Sequence, residues 1–192
     1  MAPSTVAPGP RYHAAMAAPA DPIRLLARPL RPDEYEDWYR HISEGYAQDI
    51  ALHGGTDPDT ARRKSARDMA SLLPRGLGTP DHEILVLEAS DERVGLLWVG
   101  PREVDERRVL FIWDVEIEEA HRGRGFGRQA MLLAEELARE RGLGRIELNV
   151  FGGNEVARNL YRSLGYAERA VAMGKDVEIR PVEDLPPREP GR

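Results

Sequence analysis

A short run of glycines and arginines is the part of the sequence best suited to chemistry. It stands between a predicted strand and a predicted helix. Glycine lets a backbone turn sharply and approach a ligand closely. The first N–H groups of a helix are unpaired and lie at its positive dipole end. A phosphate-binding turn is therefore predicted at Arg122, Gly123, Arg124, Gly125, Phe126, Gly127 and Arg128.

Two common phosphate-binding motifs do not fit this run. A dinucleotide-binding G-x-G-x-x-G motif requires a glycine where this chain has Arg128, and a Walker A loop requires a Gly-Lys-Ser/Thr sequence, which does not follow. A β-α turn that needs glycine only for its backbone stays open as an alternative. In that case Arg122 and Arg124 are solvated turn residues.

The elements on either side of the turn must position it. Residues 109–117 are rich in β-branched and aromatic side chains and predict a strand, in whose second half apolar residues alternate with Asp114 and Glu116. The two faces of this strand therefore differ. An apolar stripe at helical spacing begins at Phe126 and ends at Gly142, which predicts a helix directly after the turn.

Two blocks of the sequence together resemble one protein family. The turn fits the pattern R/Q-x-x-G-x-G/A. Residues 148–166 contain the run N-x-x-A-x-x-x-Y-x-x-x-G-Y/F, formed by Asn154, Ala157, Tyr161, Gly165 and Tyr166. In this order and separation the blocks resemble the GNAT superfamily of N-acetyltransferases. The resemblance covers roughly residues 23–177.

The resemblance implies a fold and a substrate. The implied fold class is α+β, with a central mixed, mostly antiparallel sheet that is flanked by about four helices and splayed in the middle for acetyl-CoA. Acetyl-CoA is the implied co-substrate, and its acetyl group moves directly to a primary amine. The acceptor is then a small-molecule amine or a protein amino group.

The resemblance also implies roles for particular residues. Backbone groups of the central strand would bind the pantetheine arm, and N–H groups of the glycine turn would bind the pyrophosphate. Tyr161 is the implied catalytic acid, which protonates the departing thiolate. The implied cofactor-binding residues are Val115, Glu116, Ile117, Arg122, Gly123, Arg124, Gly125, Phe126, Gly127, Arg128, Asn154 and Tyr161.

Residue types alone leave simpler roles open for two of these residues. Asn154 follows two glycines and opens a predicted helix, so it can serve as an ordinary N-cap. Tyr161 shares a helix face with Ala157 and Leu164, a spacing that is typical of core packing.

Acetyl transfer also needs a neutral amine, so a base must remove a proton from the ammonium form of the acceptor. Family members that carry a glutamate in the strand before the second block have it where this chain has Asn149, and an amide is no base. The candidates that remain are Glu116, Asp114 and Glu147. Glu116 is preferred because it adjoins the expected acetyl position. Each of the three can also be a solvent-facing carboxylate.

Composition narrows the functional class. The chain has 192 residues, enough for one domain, and it contains no cysteine. Its five histidines show no metal-ligand spacing, so no metal site is expected. No apolar run is long enough for a membrane helix, which predicts a soluble cytoplasmic protein. The net charge of −6 favours a cationic amine as substrate and disfavours a nucleic-acid partner.

Patterning along the chain predicts the remaining elements. Residues 1–22 and 178–192 are expected to be disordered tails around one acetyltransferase domain at 23–177, and Met16 is an alternative start. A helix capped by Asp33 and a second helix after Asp57 are expected. Strands are predicted at residues 23–30, 83–90, 93–99, 145–150 and 166–177, with a helix at 154–164.

Two functions from different classes fit these patterns. One is an acetyl-CoA-dependent N-acetyltransferase, and the other is a non-catalytic module that binds acyl-CoA as a sensor or docks a partner. Intact Tyr161 and an intact glycine turn favour the enzyme. The sequence leaves open the identity of the acceptor and whether the protein forms a homodimer.

Overall fold

A computed structural model describes residues 23–175 and Val177 of the chain. The two tails predicted to be disordered lie outside these residues, and the predicted domain boundaries at 23 and 177 stay a prediction. The chain divides into two compact units, of which the first ends at Asn154 and the second begins at Glu155.

The first unit is built on a five-stranded sheet. Its strands follow one another across the sheet in chain order, and the first four are antiparallel. The fifth is parallel to the fourth. This order confirms the expected mixed, mostly antiparallel sheet. The strands are β1 (Leu26–Pro29), β2 (Glu83–Ala89), β3 (Glu92–Val104), β4 (Arg107–Ile117) and β5 (Ile146–Leu148).

The described residues contain four helices, as expected for this α+β class. Three belong to the first unit: α1 (Tyr35–Gly54), α2 (Pro58–Leu72) and α3 (Phe126–Glu140). The second unit contains α4 (Glu155–Ser163), which shows a strong separation of apolar and polar side chains around its axis.

Local sequence signals explain where the first two helices begin. The carboxylate of Asp57 accepts the N–H of Thr60 at 3.0 Å, which confirms the predicted cap of α2. The predicted cap of α1 is wrong. Asp33 lies inside a short 3-10 turn (Pro32–Glu34), and the Glu34 carboxylate accepts the Arg31 N–H at 2.9 Å instead. This capping-box arrangement satisfies the backbone from inside the turn.

The core lies on both faces of the sheet. On one face α1 and α2 pack Trp38 and Met69 against Leu96 and Trp98 of β3. Leu97 alternates with these two strand residues and is also fully buried, so it faces the opposite side of the sheet. There α3 packs against β3, β4 and β5 through its buried stripe: Phe126, Ala130, Met131, Ala134 and Ala138.

The sheet opens between β4 and β5. Their parallel register ends at Ile112 and Leu148, where β5 also ends, whereas β4 continues to Ile117. Within the described residues, the last part of β4 is thus paired with β3 alone. A bulge at Trp113 breaks the register with β3 at the same level. This is the splay that the fold class implies.

The predicted last strand is wrong. In the second unit, residues 166–175 contain neither strand nor helix, and Val171 and Met173 are 69% and 93% exposed. The segment is rich in alanine and has Val171 as its one β-branched residue between 166 and 175. Such a segment has little preference for a strand.

Gly95 of β3 allows the close approach of β4 opposite. A Cβ at this position would lie 2.1 Å from the carbonyl oxygen of Glu116, which is backbone and cannot move alone. We expect Gly95→Ala to lower the free energy of unfolding by about 1–3 kcal/mol. Gly45→Ala is the control, because its Cβ meets nothing within 4 Å and alanine favours the helix. Equal stability of both variants in urea unfolding would contradict the close contact.

Candidate functional site

The glycine turn leads into α3 with an open backbone. Gly123 and Gly125 have φ values of 74° and 85°, in the left-handed region that favours glycine. Gly125 is the N-cap residue of α3, so no capping side chain reaches the first turn of this helix. A Cβ at Gly125 would meet nothing within 4 Å, and Phe126 behind it is buried. This end of α3 therefore suits an anionic group.

Two arginines of the turn are held by specific contacts. The Nε of Arg122 donates to the carbonyl oxygen of Ile117 at 2.9 Å. The guanidinium of Arg124 lies 5.1 Å above the ring of Phe126 and donates to Nδ1 of His121 at 3.1 Å. Arg122 thus ties the turn to the end of β4. It also occupies one of the backbone groups that the sequence had assigned to the pantetheine arm.

The three central-strand residues of the predicted site lie in the open part of β4. Val115, Glu116 and Ile117 are paired with Leu97, Leu96 and Gly95 of β3. The β5 ladder has ended before this level. Backbone groups along this edge of β4 are not paired with β5, and the Ile117 carbonyl accepts from Arg122. Their contact with the pantetheine arm stays a prediction.

Glu116 faces a small cleft below α1. Its Oε2 lies 2.8 Å from Nε2 of His41, a residue of α1 that is 75 positions away in sequence. Since an ionised carboxylate only accepts, the imidazole N–H donates in this contact. The cleft has a volume of about 130 Å³ and is lined by His41, Arg93, Gly95, Leu96, Glu116 and Glu118.

Asp114 is the candidate base with a raised pKa. Burial, with a further contribution from the negative charge of Glu116, raises the pKa of Asp114 to about 7. The charge of His41 and the Val115 N–H act in the opposite direction. Asp114 pairs with Trp98 and Glu116 with Leu96, so both carboxylates lie on the face that α1 covers. The sequence correctly placed the two acids together but gave no sign of this shift.

Glu147 lies away from this pair. It stands opposite Phe111, five residues before Glu116 on β4, which corresponds to roughly 17 Å along a strand. It is also ion-paired with Arg145 at 2.7 Å and its side chain is largely buried. The structure therefore does not bring the third candidate base to the cleft.

The two remaining candidates lie near the end of the first unit and in the second. Asn154 donates its backbone N–H to the carbonyl oxygen of Phe151 at 2.9 Å. The ring of Phe151 stacks on His53, at the end of α1, with centroids 4.6 Å apart. Tyr161 lies on α4 with its ring centroid 5.9 Å from that of Tyr166. Cofactor contacts of Asn154 and Tyr161 stay predictions.

His41 was missed by sequence reasoning. It lies three residues after the buried Trp38, which places it at the border of the inward face of α1. That spacing was the available signal, and it does not reveal a partner on β4. Within residues 23–175 and Val177, no group of three or more His, Cys, Asp or Glu side chains could hold a metal ion. In the same part of the chain no helix could span a membrane.

The chain is similar to known acetyltransferases. The family model described as "Acetyltransferase (GNAT) family" matches residues 33–166. The uncharacterized N-acetyltransferase YycN of Bacillus subtilis is 31% identical over 154 residues, which are 80% of this chain and 99% of YycN. The crystal structure of YycN superposes with a TM-score of 0.75 at 30% identity, covering 81% of this chain and 99% of that one.

Two further relatives are more distant or match a shorter part. Streptothricin acetyltransferase of Streptomyces lavendulae is 45% identical over 58 residues, which are 30% of this chain and 31% of that protein. An aminoglycoside N-acetyltransferase, crystallised in complex with CoA, has a TM-score of 0.52 at 14% identity and covers 82% of this chain and 97% of its own. The second likeness shows the fold alone.

The raised pKa of Asp114 should be visible in the stability of the protein. Between pH 4 and 7 the unfolded chain gives up a proton that the folded chain keeps, so rising pH lowers the free energy of unfolding through this range. Asp114→Asn removes that loss. We expect the free energy of unfolding of the variant to exceed that of the parent by up to about 4 kcal/mol at pH 8. This difference should vanish near pH 3.

Urea unfolding at several pH values measures this difference. Asp37→Asn is the control, because Asp37 is an exposed carboxylate of α1 that pairs with Arg40. If the free energies of unfolding of Asp114→Asn and the parent differ by the same amount at every pH, the pKa of Asp114 is not raised.

Proposed function

Because the chain belongs to the acetyltransferase (GNAT) family, we propose that it moves the acetyl group of acetyl-CoA directly to a primary amine. The observation that carries this proposal is the open half of β4. It has the uncapped glycine turn of α3 after its end and two carboxylates on its α1 face. These are the parts that a coenzyme with a pyrophosphate and an ammonium substrate would need.

The glycine turn supplies the site for the pyrophosphate. Backbone N–H groups from Gly123 to Arg128 face the anion, and the dipole of α3 contributes about 0.3–2 kcal/mol. Arg124 and Arg128 add positive charge at the exposed surface of the turn. The pantetheine amides pair with backbone groups of Val115 and Glu116, and Asn154 adds a polar contact. The related fold that was crystallised with CoA supports the choice of coenzyme.

The carboxylates prepare the acceptor. An ammonium group has no free electron pair, so Glu116 or Asp114 takes one proton before the nitrogen attacks the thioester carbonyl. Glu116 is our first candidate because it lines the cleft. Asp114, with a pKa of about 7, is suited to exchanging a proton near neutral pH. The carboxylates of Glu116 and Asp114 favour a cationic acceptor.

Attack on the thioester breaks the carbon–sulfur bond and leaves the sulfur with a negative charge. Tyr161 protonates this thiolate, which gives free CoA, and the nitrogen, positively charged after its attack, loses a second proton that restores the tyrosine hydroxyl. The tyrosine hydroxyl is a weak acid that can donate the proton to the thiolate. The amide product and the CoA thiol then leave the site.

Coenzyme binding tests the proposal without knowledge of the acceptor. Gly125→Glu places a side chain and a negative charge in the mouth of the turn, so we expect CoA affinity to fall at least about 100-fold, measured by calorimetry. Gly142→Glu is a matched control at the other end of α3, because Gly142 also has a positive φ, 66°, and a Cβ there meets nothing within 4 Å.

Equal CoA affinity in the two variants would mean that the turn does not hold the coenzyme. Turnover is then measured with a panel of primary amines through the thiol that is released. The chain has no cysteine, so the protein itself contributes no background thiol. Tight CoA binding without acetylation of any amine would favour the non-catalytic binding module.

Tyr161→Phe separates chemistry from packing. The change removes one hydroxyl and keeps the ring. If the hydroxyl protonates the thiolate, turnover falls by about 10²-fold, the lower end of what a general acid contributes, while CoA binding is kept. Tyr46→Phe is the control, because Tyr46 is a tyrosine of α1 whose hydroxyl donates to Asp68. Parental turnover in a folded Tyr161→Phe protein would contradict the role of a general acid.

A further inference from the structure

His41 joins α1 to β4 across the mouth of the cleft. Trp38 and Ile42 anchor this part of α1 to the core. His41 lies beside them with its side chain 60% exposed, and its Nε2 is 2.8 Å from Oε2 of Glu116. The Glu116 side chain is 35% exposed. The contact therefore fixes a carboxylate that would otherwise project into an open cleft.

Several charged groups face this contact. α1 contributes Asp49, which acts on Asp114, and β3 contributes Arg93. β4 contributes Asp114, and Glu118 follows directly after the last residue of β4. Arg93 is ion-paired with Glu118 at 3.0 Å, whereas the imidazole of His41 contacts Glu116 at 2.8 Å. Each of the two glutamates that line the cleft therefore has its own basic partner.

Glu116 needs such a partner for its proposed work. A free glutamate side chain samples many rotamers, and fixing it costs conformational entropy. A hydrogen bond to one carboxylate oxygen removes part of this freedom and leaves the second oxygen available. Catalytic groups lose much of their effect when they are misplaced by about 1 Å.

We propose that His41 is a positioning residue for acetyl transfer, which holds the Glu116 carboxylate by one oxygen so that the other receives the proton of the acceptor's ammonium. This inference rests on the proposed function. In the step, one N–H bond of the ammonium breaks and one O–H bond forms on Glu116. The nitrogen keeps the electron pair and becomes the nucleophile.

Two variants separate the hydrogen bond from the rest of the side chain. His41→Gln keeps an N–H donor at similar reach, and His41→Leu removes it. With an amine that the panel shows to be acetylated, we expect His41→Leu to lower kcat about 10-fold without changing KM for acetyl-CoA. We expect His41→Gln to stay within about threefold of the parent. Arg40→Gln, at the next, exposed position of α1, is the control and should match the parent.

A second measurement needs no acceptor. The carboxyl carbon of Asp114 is followed by NMR against pH, after assignment with Asp114→Asn. The positive charge of His41 lowers the pKa of Asp114 and the negative charge of Glu116 raises it. His41→Leu should therefore raise this pKa, Glu116→Gln should lower it, and Arg40→Gln should leave it unchanged.

The outcomes distinguish the two levels of the proposal. Parental kcat in His41→Leu, or a loss in His41→Gln as large as in His41→Leu, would overturn the positioning role. If the pKa of Asp114 is the same in His41→Leu as in the parent, the placement of His41 beside Glu116 and Asp114 would be overturned. If Asp114 responds as expected but the parent acetylates no amine, the proposed function fails and the catalytic role of His41 fails with it, while the contact stands.

Discussion

The structure depends on the unequal pairing of β4 along its length. Residues 110–112 lie between β3 and β5 and are buried. Beyond the bulge at Trp113, the second half of β4 is paired with β3 alone among the residues that the structure describes. A strand that keeps one rigid neighbour and loses the other has backbone groups free for a ligand without losing its position. The carboxylates and the turn are placed by this one strand.

The packing of the α1 face sets the electrostatics of the cleft. The edge-to-face contact of Trp38 with Trp98, with centroids 5.5 Å apart, seats α1 on the sheet next to Asp114. The same packing removes water from Asp114 and brings His41 to Glu116. A hydrophobic contact is thus the reason that two neighbouring carboxylates differ in their surroundings. Desolvation raises the pKa of Asp114, whereas Glu116 is hydrogen-bonded to His41 of α1.

Features that depend on local patterns could be predicted from the sequence. The glycine turn, the helix after it and the shared face of Asp114 and Glu116 follow from short-range spacing. His41 could not be found in this way, because its partner is 75 residues away and the contact exists only once α1 is seated. The pKa of Asp114 likewise depends on burial by a distant helix. The strand expected at residues 166–177 is not formed by residues 166–175, whose composition does not favour a strand.

The hydrogen bond from Arg122 to the Ile117 carbonyl connects the turn with the strand that carries Glu116. A ligand that draws this guanidinium away from β4 would release the last carbonyl of the strand, one residue from Glu116. Occupancy of the turn and occupancy of the cleft are then linked. Thermodynamic linkage is reciprocal. If bound coenzyme changes the affinity for the acceptor by some factor, bound acceptor changes the affinity for the coenzyme by the same factor. The side chain of Arg122 would then couple the two sites.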